Sequence, residues 1–296
     1  MGDQALNPSG SRTILLTKPR IIPLLSLCCA VILAGCGDSP PQKSSDRNQG
    51  TDRTPAVAGP GNDVAEKATS EAKNLFGSAT IKGHVRFEGK RPRPRPLKMQ
   101  GDRACYSGNA AVYPPGTTIS KSGGVPFVFV YIKKGIHGDY APPEEPVRLD
   151  QTGCMFVPHV FGIQVGQSLR IVNDDPTAHN VHGLFKHNEP FNVSQPVKGM
   201  VSVKRFSRPV VMAKFKCDVH GWMSAYAGVL RHPFFAVTDA DGAFQISRLP
   251  AGDYELETWH ELWGNRHRTV HVETGRTINA DFTYRRRQPS SAGIPR

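Results

Sequence analysis

The chain has 296 residues, room for one large domain or two small ones, and its 38% hydrophobic content permits a packed core. Glycine (29) and proline (25) are too frequent for a mostly helical protein and favour short strands joined by turns. The net charge is +12 at pH 7, and the six cysteines form no paired C-x-x-C motif, which argues against a structural zinc ribbon or a disulfide-dense miniature.

Arg12, Lys18 and Arg20 precede an apolar stretch over residues 21–33, too short to span a bilayer as a helix and suited to a secretory signal. It ends in Leu33-Ala34-Gly35-Cys36, which resembles the bacterial lipobox. That resemblance implies a signal peptide over 1–35, a lipid on Cys36, and a protein anchored through that lipid to a membrane, on the periplasmic side of a bacterial cell envelope. An ordinary secretory signal is the alternative. Cys28 and Cys29 leave with the signal. Residues 36–78 read as a disordered tether. Segment 37–63 is polar, rich in Ser, Pro and Gly, and lacks apolar periodicity, while 64–76 has the pattern of one weak helix.

From residue 79 the pattern is that of strands. Ile81, Val85 and Phe87 alternate with Lys82, His84 and Arg86. Residues 90–97 form a stiff basic loop in which proline alternates with arginine. Apolar runs or alternation follow over 127–132, over 162–173 around a glycine turn, at Val211, Ala213, Phe215 and Cys217, and over 226–230. No long amphipathic helix appears, so the fold class is all-β, built as β-sandwiches.

Residues 217–223 read Cys-Asp-Val-His-Gly-Trp-Met, which is C-x-x-H-x-x-M, and His179 lies upstream in Asn173-Asp174-Asp175-Pro176-Thr177-Ala178-His179-Asn180. One thiolate, two imidazoles and a thioether make a trigonal site with a weak axial ligand, a set that suits copper. Singly, each of these residues is more often a core or structural side chain. The combination is far more specific.

Residues 146–231 resemble a cupredoxin, the plastocyanin and amicyanin family of blue copper proteins. The matching pieces include Phe156-Val157-Pro158, Val165-Gly166-Gln167, His179-Asn180-Val181 and Lys216-Cys217-Asp218-Val219-His220, with a short, amicyanin-like His-to-Met spacing. The more specific likeness is to bacterial proteins of the methylamine-utilisation-like type. The resemblance implies a Greek-key sandwich holding one type 1 copper ion on His179, Cys217, His220 and Met223, with Asn180 fixing the ligand loop by hydrogen bonding. Gly221 stands where such loops tend to have proline, which could loosen the loop without removing a ligand. His159, His182 and His187 are expected to be surface or supporting histidines rather than a second metal site.

Farther on, Asp239-Ala240-Asp241-Gly242 separates two apolar runs, a hairpin signal. The alternation of Ile278, Ala280, Phe282 and Tyr284 closes the pattern. This stretch resembles the carboxypeptidase-regulatory-like family, a small transthyretin-like sandwich related to carbohydrate-binding folds. It lacks a catalytic zinc motif. Residues 232–285 supply too few strands for such a sandwich. The expectation is therefore a discontinuous domain of 79–141 and 232–285, with the cupredoxin (142–231) inserted and a disordered tail at 286–296. Two domains in series is the alternative. With Cys28, Cys29, Cys36 and Cys217 accounted for, Cys105 and Cys154 remain, and outside the cytoplasm two spare thiols commonly pair. A disulfide between them is expected, tying the 101–110 loop to the cupredoxin.

Two function classes follow. The first is an electron carrier passing single electrons to a redox protein partner, transforming no substrate and so not an enzyme. The second is a non-redox binding or structural envelope protein whose sandwich takes polysaccharide or protein. Copper storage or delivery is a third reading. Nucleic acid is not an expected partner, because the basic residues are scattered and the chain is exported. In a cupredoxin the histidine of the Cys-to-Met loop brings a ring edge to the surface. On that pattern His220 and Trp222 are expected to form a small apolar docking patch, rimmed by basic residues that steer an acidic partner.

Overall fold

The computed structural model describes residues 75–105 and 110–286. The expected signal, lipidated Cys36, the tether up to residue 74 and nearly all of the tail lie outside these residues. The described residues are all-β: seventeen strands and one short 3-10 turn at Pro115–Thr117.

The first sandwich opens with β1 (Ala79–Glu88), whose odd-numbered side chains are buried and whose even-numbered ones mostly face solvent. This is the period-2 pattern of a strand with one wet face. β2 (Phe129–Lys134) begins with four buried residues and ends in two exposed lysines.

The chain then builds a second sandwich. One of its sheets runs β4 (Met155–Val157), β3 (Val147–Thr152), β6 (Ser168–Asn173), β9 (Val201–Arg205). The other runs β5 (Val160–Gln164), β11 (Ser224–Leu230), β10 (Val210–Lys216), β7 (His179–Leu184), β8 (Phe191–Gln195). The β3–β6 and β5–β11 pairs are parallel and every other pair is antiparallel.

The chain finally returns to the first sandwich. β12 (Phe235–Val237) and β14 (Gly252–His260) flank β2, and β15 (Gly264–Val272) pairs with β14. β13 (Ala243–Leu249) pairs antiparallel with β1, while β16 (Thr277–Asn279) and β17 (Phe282–Arg285) pair parallel with it. Strands from both sides of residues 147–230 thus share the same sheets.

Each sandwich has its own apolar core, the first around Ile81, Val130, Leu256 and Tyr284, the second around Leu149, Ile163, Phe215 and Val229. A third cluster of Phe129, Tyr131, Val160 and Leu230 joins the β2 sheet to the β5–β11 sheet.

Several expectations need correction. Met99 and Cys105 are buried in the second core, with Leu97 against it, so 97–105 does not pack with the first sandwich to which 79–141 was assigned. The Asp239–Gly242 turn is tight, with Asp239 N–H bonded to the Ala243 carbonyl, but it is not a hairpin. β12 and β13 pair with different sheets, and local turn chemistry does not specify the partner. Of the helix expected at 64–76 only Leu75 and Phe76 are described; neither is helical, and both pack on the first core. Val211 is exposed rather than on the buried face with Ala213 and Phe215, because the β10–β11 register shifts between Val210 and Ala213. The terminal alternation is split into β16 and β17.

Candidate metal centre

β10 runs between β7 and β11, and its register sets the site. Lys216 lies opposite Ser224 on β11 and opposite His182 on β7. The seven residues after Lys216 must therefore form a tight loop, which Met223 N–H to the His220 carbonyl (2.9 Å) and Cys217 N–H to the Met223 carbonyl (3.3 Å) close. Carrying the β7 register two residues on brings Asn180 beside that loop. Its Oδ1 accepts from the Asp218 N–H at 2.6 Å and the Val219 N–H at 3.3 Å, and lies 3.4 Å from Cys217 Sγ. Asp218 holds Asn180, Asn192 and His182 through one carboxylate oxygen. Its carboxyl lies well below the usual range, chiefly through Lys216.

The other loop follows β6. Asn173 is fully buried, takes the Asp175 N–H on Oδ1 and donates to the Thr177 carbonyl, which delivers His179 to the start of β7. His179 Nδ1, Cys217 Sγ and a ring nitrogen of His220 fall within 4.8 Å of one another, and all three residues are buried. The two Nδ1 atoms are 3.0 Å apart, and Cys217 Sγ is 4.0 Å from His179 Nδ1. Met223 is buried in the same apolar cluster. The His220 N–H points at Cys217 Sγ across 3.4 Å.

Both outer ring nitrogens face carboxylates. His179 Nε2 is 2.9 Å from Asp175 Oδ2, and His220 Nε2 is 3.1 Å from Asp102 Oδ2. A carboxylate can only accept, so each ring carries its proton on Nε2 and turns a bare Nδ1 inward. Burial favours this neutral form by lowering the His179 pKa, against the upward pull of Asp175. Two bare nitrogens at 3.0 Å repel unless a cation lies between or beside them. Two imidazoles and a thiol sulfur, with a thioether in the same apolar cluster, form a donor set that suits copper.

Cys105 and Cys154 are joined by a disulfide, with Cα atoms 5.2 Å apart. Cys105 Sγ lies 3.5 Å from His220 Nε2. This corrects the expected docking patch. The His220 ring is only 4% exposed, and Asp102 and Cys105 cover its edge. Trp222 is half-buried, donates its indole N–H to the Cys154 carbonyl, and walls the ring from the side. The physical reason is the crossing of 97–105, drawn over the loop by burial of Met99 and Cys105.

His182 is tied to Asp218, and His187 is exposed. His159 is buried between the Ser224 carbonyl and Glu261. Among the described residues none of the three joins a candidate metal group. The sequence reading missed Asp102 and Asp175. Asp175 lies in the Asn173-Asp174-Asp175 run, whereas nothing local marks Asp102.

No protein-family model and no curated relative matches the chain. Among solved structures it is similar to a copper-containing nitrite reductase from Thermus scotoductus, at 24% identity and a TM-score of 0.28, covering 33% of this chain. This chain spans only 25% of that reductase's length. A purple cupredoxin from Nitrosopumilus maritimus matches at 21% identity and a TM-score of 0.25, over 28% of this chain and 98% of that one. An amicyanin variant matches at 17% identity and a TM-score of 0.27, over 34% of this chain and 97% of that one.

The described residues form an all-β protein. The expectation that it is not an enzyme does not stand: a reductase is among the matching structures.

Proposed function

We propose that this chain is a type 1 copper protein that moves single electrons, in which His179, Cys217, His220 and, more weakly, Met223 would hold one copper. The observation that carries this reading is the pair of inward Nδ1 atoms 3.0 Å apart beside the Cys217 sulfur, each ring held from outside by a carboxylate. Bound copper would supply one-electron chemistry between Cu(I) and Cu(II). The chain's own part is to hold the donors still. Asn180 and Asp218 brace the loop, the His220 N–H tempers charge on the Cys217 sulfur, and the apolar core excludes water.

The finer reading is an amicyanin-like site in a methylamine-utilisation-like protein. It is lipid-anchored through Cys36 in a bacterial cell envelope, and its other sandwich is carboxypeptidase-regulatory-like. An acidic redox partner fits the exposed Lys90, Arg91, Arg93, Arg95 and Lys98, which lead into the segment over His220.

The test is the visible spectrum of the protein after loading with Cu(II). Intense thiolate-to-copper charge transfer is expected. A colourless Cu(II) form, or uptake of zinc only, would overturn the reading.

A further inference from the structure

Asp102 comes from outside the two loops that supply the candidate ligands, 118 residues before His220. One of its carboxylate oxygens takes both the His220 Nε2–H and the Thr177 hydroxyl, at 3.1 and 2.7 Å. Thr177 stands two residues before His179, so a single carboxylate bridges both ligand-bearing loops. The other oxygen takes the Ala104 N–H at 2.8 Å, and the Asp102 carbonyl accepts from the Cys105 N–H at 3.1 Å, which folds 102–105 into a turn. The disulfide then fastens this turn to Cys154. Cys154 is itself tied into the site: its N–H and that of Gly153 bond to Asp175, the outer partner of His179. Buried Met99 anchors the other end of the segment.

We propose that Asp102 is a positioning residue for the metal site, carried on a cap (97–105) that the Cys105–Cys154 disulfide pins over His220. The inference rests on the copper reading and deepens it, since it names what sets the properties of that same centre. A carboxylate on the outer nitrogen of a ligating imidazole fixes its tautomer and raises its basicity. That stabilises the more highly charged metal state over the lower one. The cap therefore holds the reduction potential down, slows metal loss, and closes the His220 edge as a direct route for electrons.

The experiment has a metal-free arm and a metal-loaded arm. In the metal-free protein, ring nitrogen NMR of His220 is expected to show a proton on Nε2 that exchanges slowly with solvent, and Asp102→Ala is expected to lose that protection. In the copper-loaded protein, Asp102→Asn and Asp102→Ala are expected to raise the reduction potential and to speed copper loss to a chelator by about 10–100-fold, with the visible band retained. The asparagine variant keeps the shape and cannot satisfy Ala104 N–H, Thr177 and His220 together, so it reads the charge without emptying the space. An Nε2 proton that exchanges as fast in wild type as in Asp102→Ala, or a potential and loss rate unchanged in both variants, would overturn the proposal. Absence of the visible band in wild type would instead defeat the copper reading, and the metal-free arm would still decide whether Asp102 holds the ring.

Discussion

Gly162 and Gly228 lie opposite each other on the parallel strands β5 and β11, and together they form the floor on which rings of the other sandwich rest. A Cβ at Gly228 would come within 2.2 Å of the Phe129 ring, and one at Gly162 within 2.0 Å of Phe235. Phe129 is fully buried and has nowhere to go. Gly228→Ala is therefore expected to lose about 1–3 kcal/mol of stability through overpacking. Gly221→Ala, where a Cβ meets nothing within 4 Å, should change it by less than about 0.5 kcal/mol. Urea midpoints of the two variants check this, and equal midpoints would mean that the sandwiches part easily at this contact.

The ligand loop makes a graded prediction. Cys217→Ser should abolish the intense visible band, because the sulfur supplies the charge transfer. Met223→Leu should retain the band and shift the potential, because a thioether binds weakly along the axis. Each side chain is buried, so folding must be checked beside the spectrum. A band that survives in Cys217→Ser would remove Cys217 from the ligand set.

The all-β class was legible because some strands announce themselves by alternation, as β1 does with Ile81, Val85 and Phe87, and others by short apolar runs, as β2 does. Cys217, His220 and Met223 are near each other for the simple reason that they share one short loop. The limits were physical. Asp102 reaches His220 only through tertiary packing, so no local spacing reports it. The closing of the His220 edge depends on Met99 and Cys105 preferring the second core, a choice between two cores that periodicity cannot make. The misread turn at Asp239–Gly242 has the same origin: it specifies a reversal of the chain, not the sheet in which the next strand finds its partner.

The disulfide closes a long loop, with a sequence separation of 49. The chain-entropy relation gives about 4 kcal/mol for such a closure. A non-reduced digest should yield one linked peptide containing Cys105 and Cys154. Cys105→Ser with Cys154→Ser should lower stability by an amount of that order. Recovery of both cysteines as free thiols from protein purified without reductant would sink the assignment.

His260 gives the protein a calculable acid sensitivity. It is 1% exposed, sits beside Trp263 and Tyr284, accepts the Leu262 N–H on Nδ1, and among the described residues has no partner on Nε2. Burial pushes its pKa down to about 4; Glu261 pulls it up and His159 pushes it further down. The ordinary value is 6.5, so between pH 6.5 and about 4 the unfolded chain binds a proton here that the folded chain refuses. Stability is then full above pH 6.5 and falls as the pH drops, with a slope approaching about 1.4 kcal/mol per pH unit and a total near 3 kcal/mol. Below pH 4 the folded form also takes the proton and this contribution levels off. His260→Asn keeps an acceptor for Leu262 and removes the titration. The stability difference between wild type and His260→Asn, from urea unfolding at pH 7, 6, 5 and 4.5, should shrink in favour of the variant as the pH falls. A difference that stays constant across that range would show that the ring takes up its proton as readily folded as unfolded.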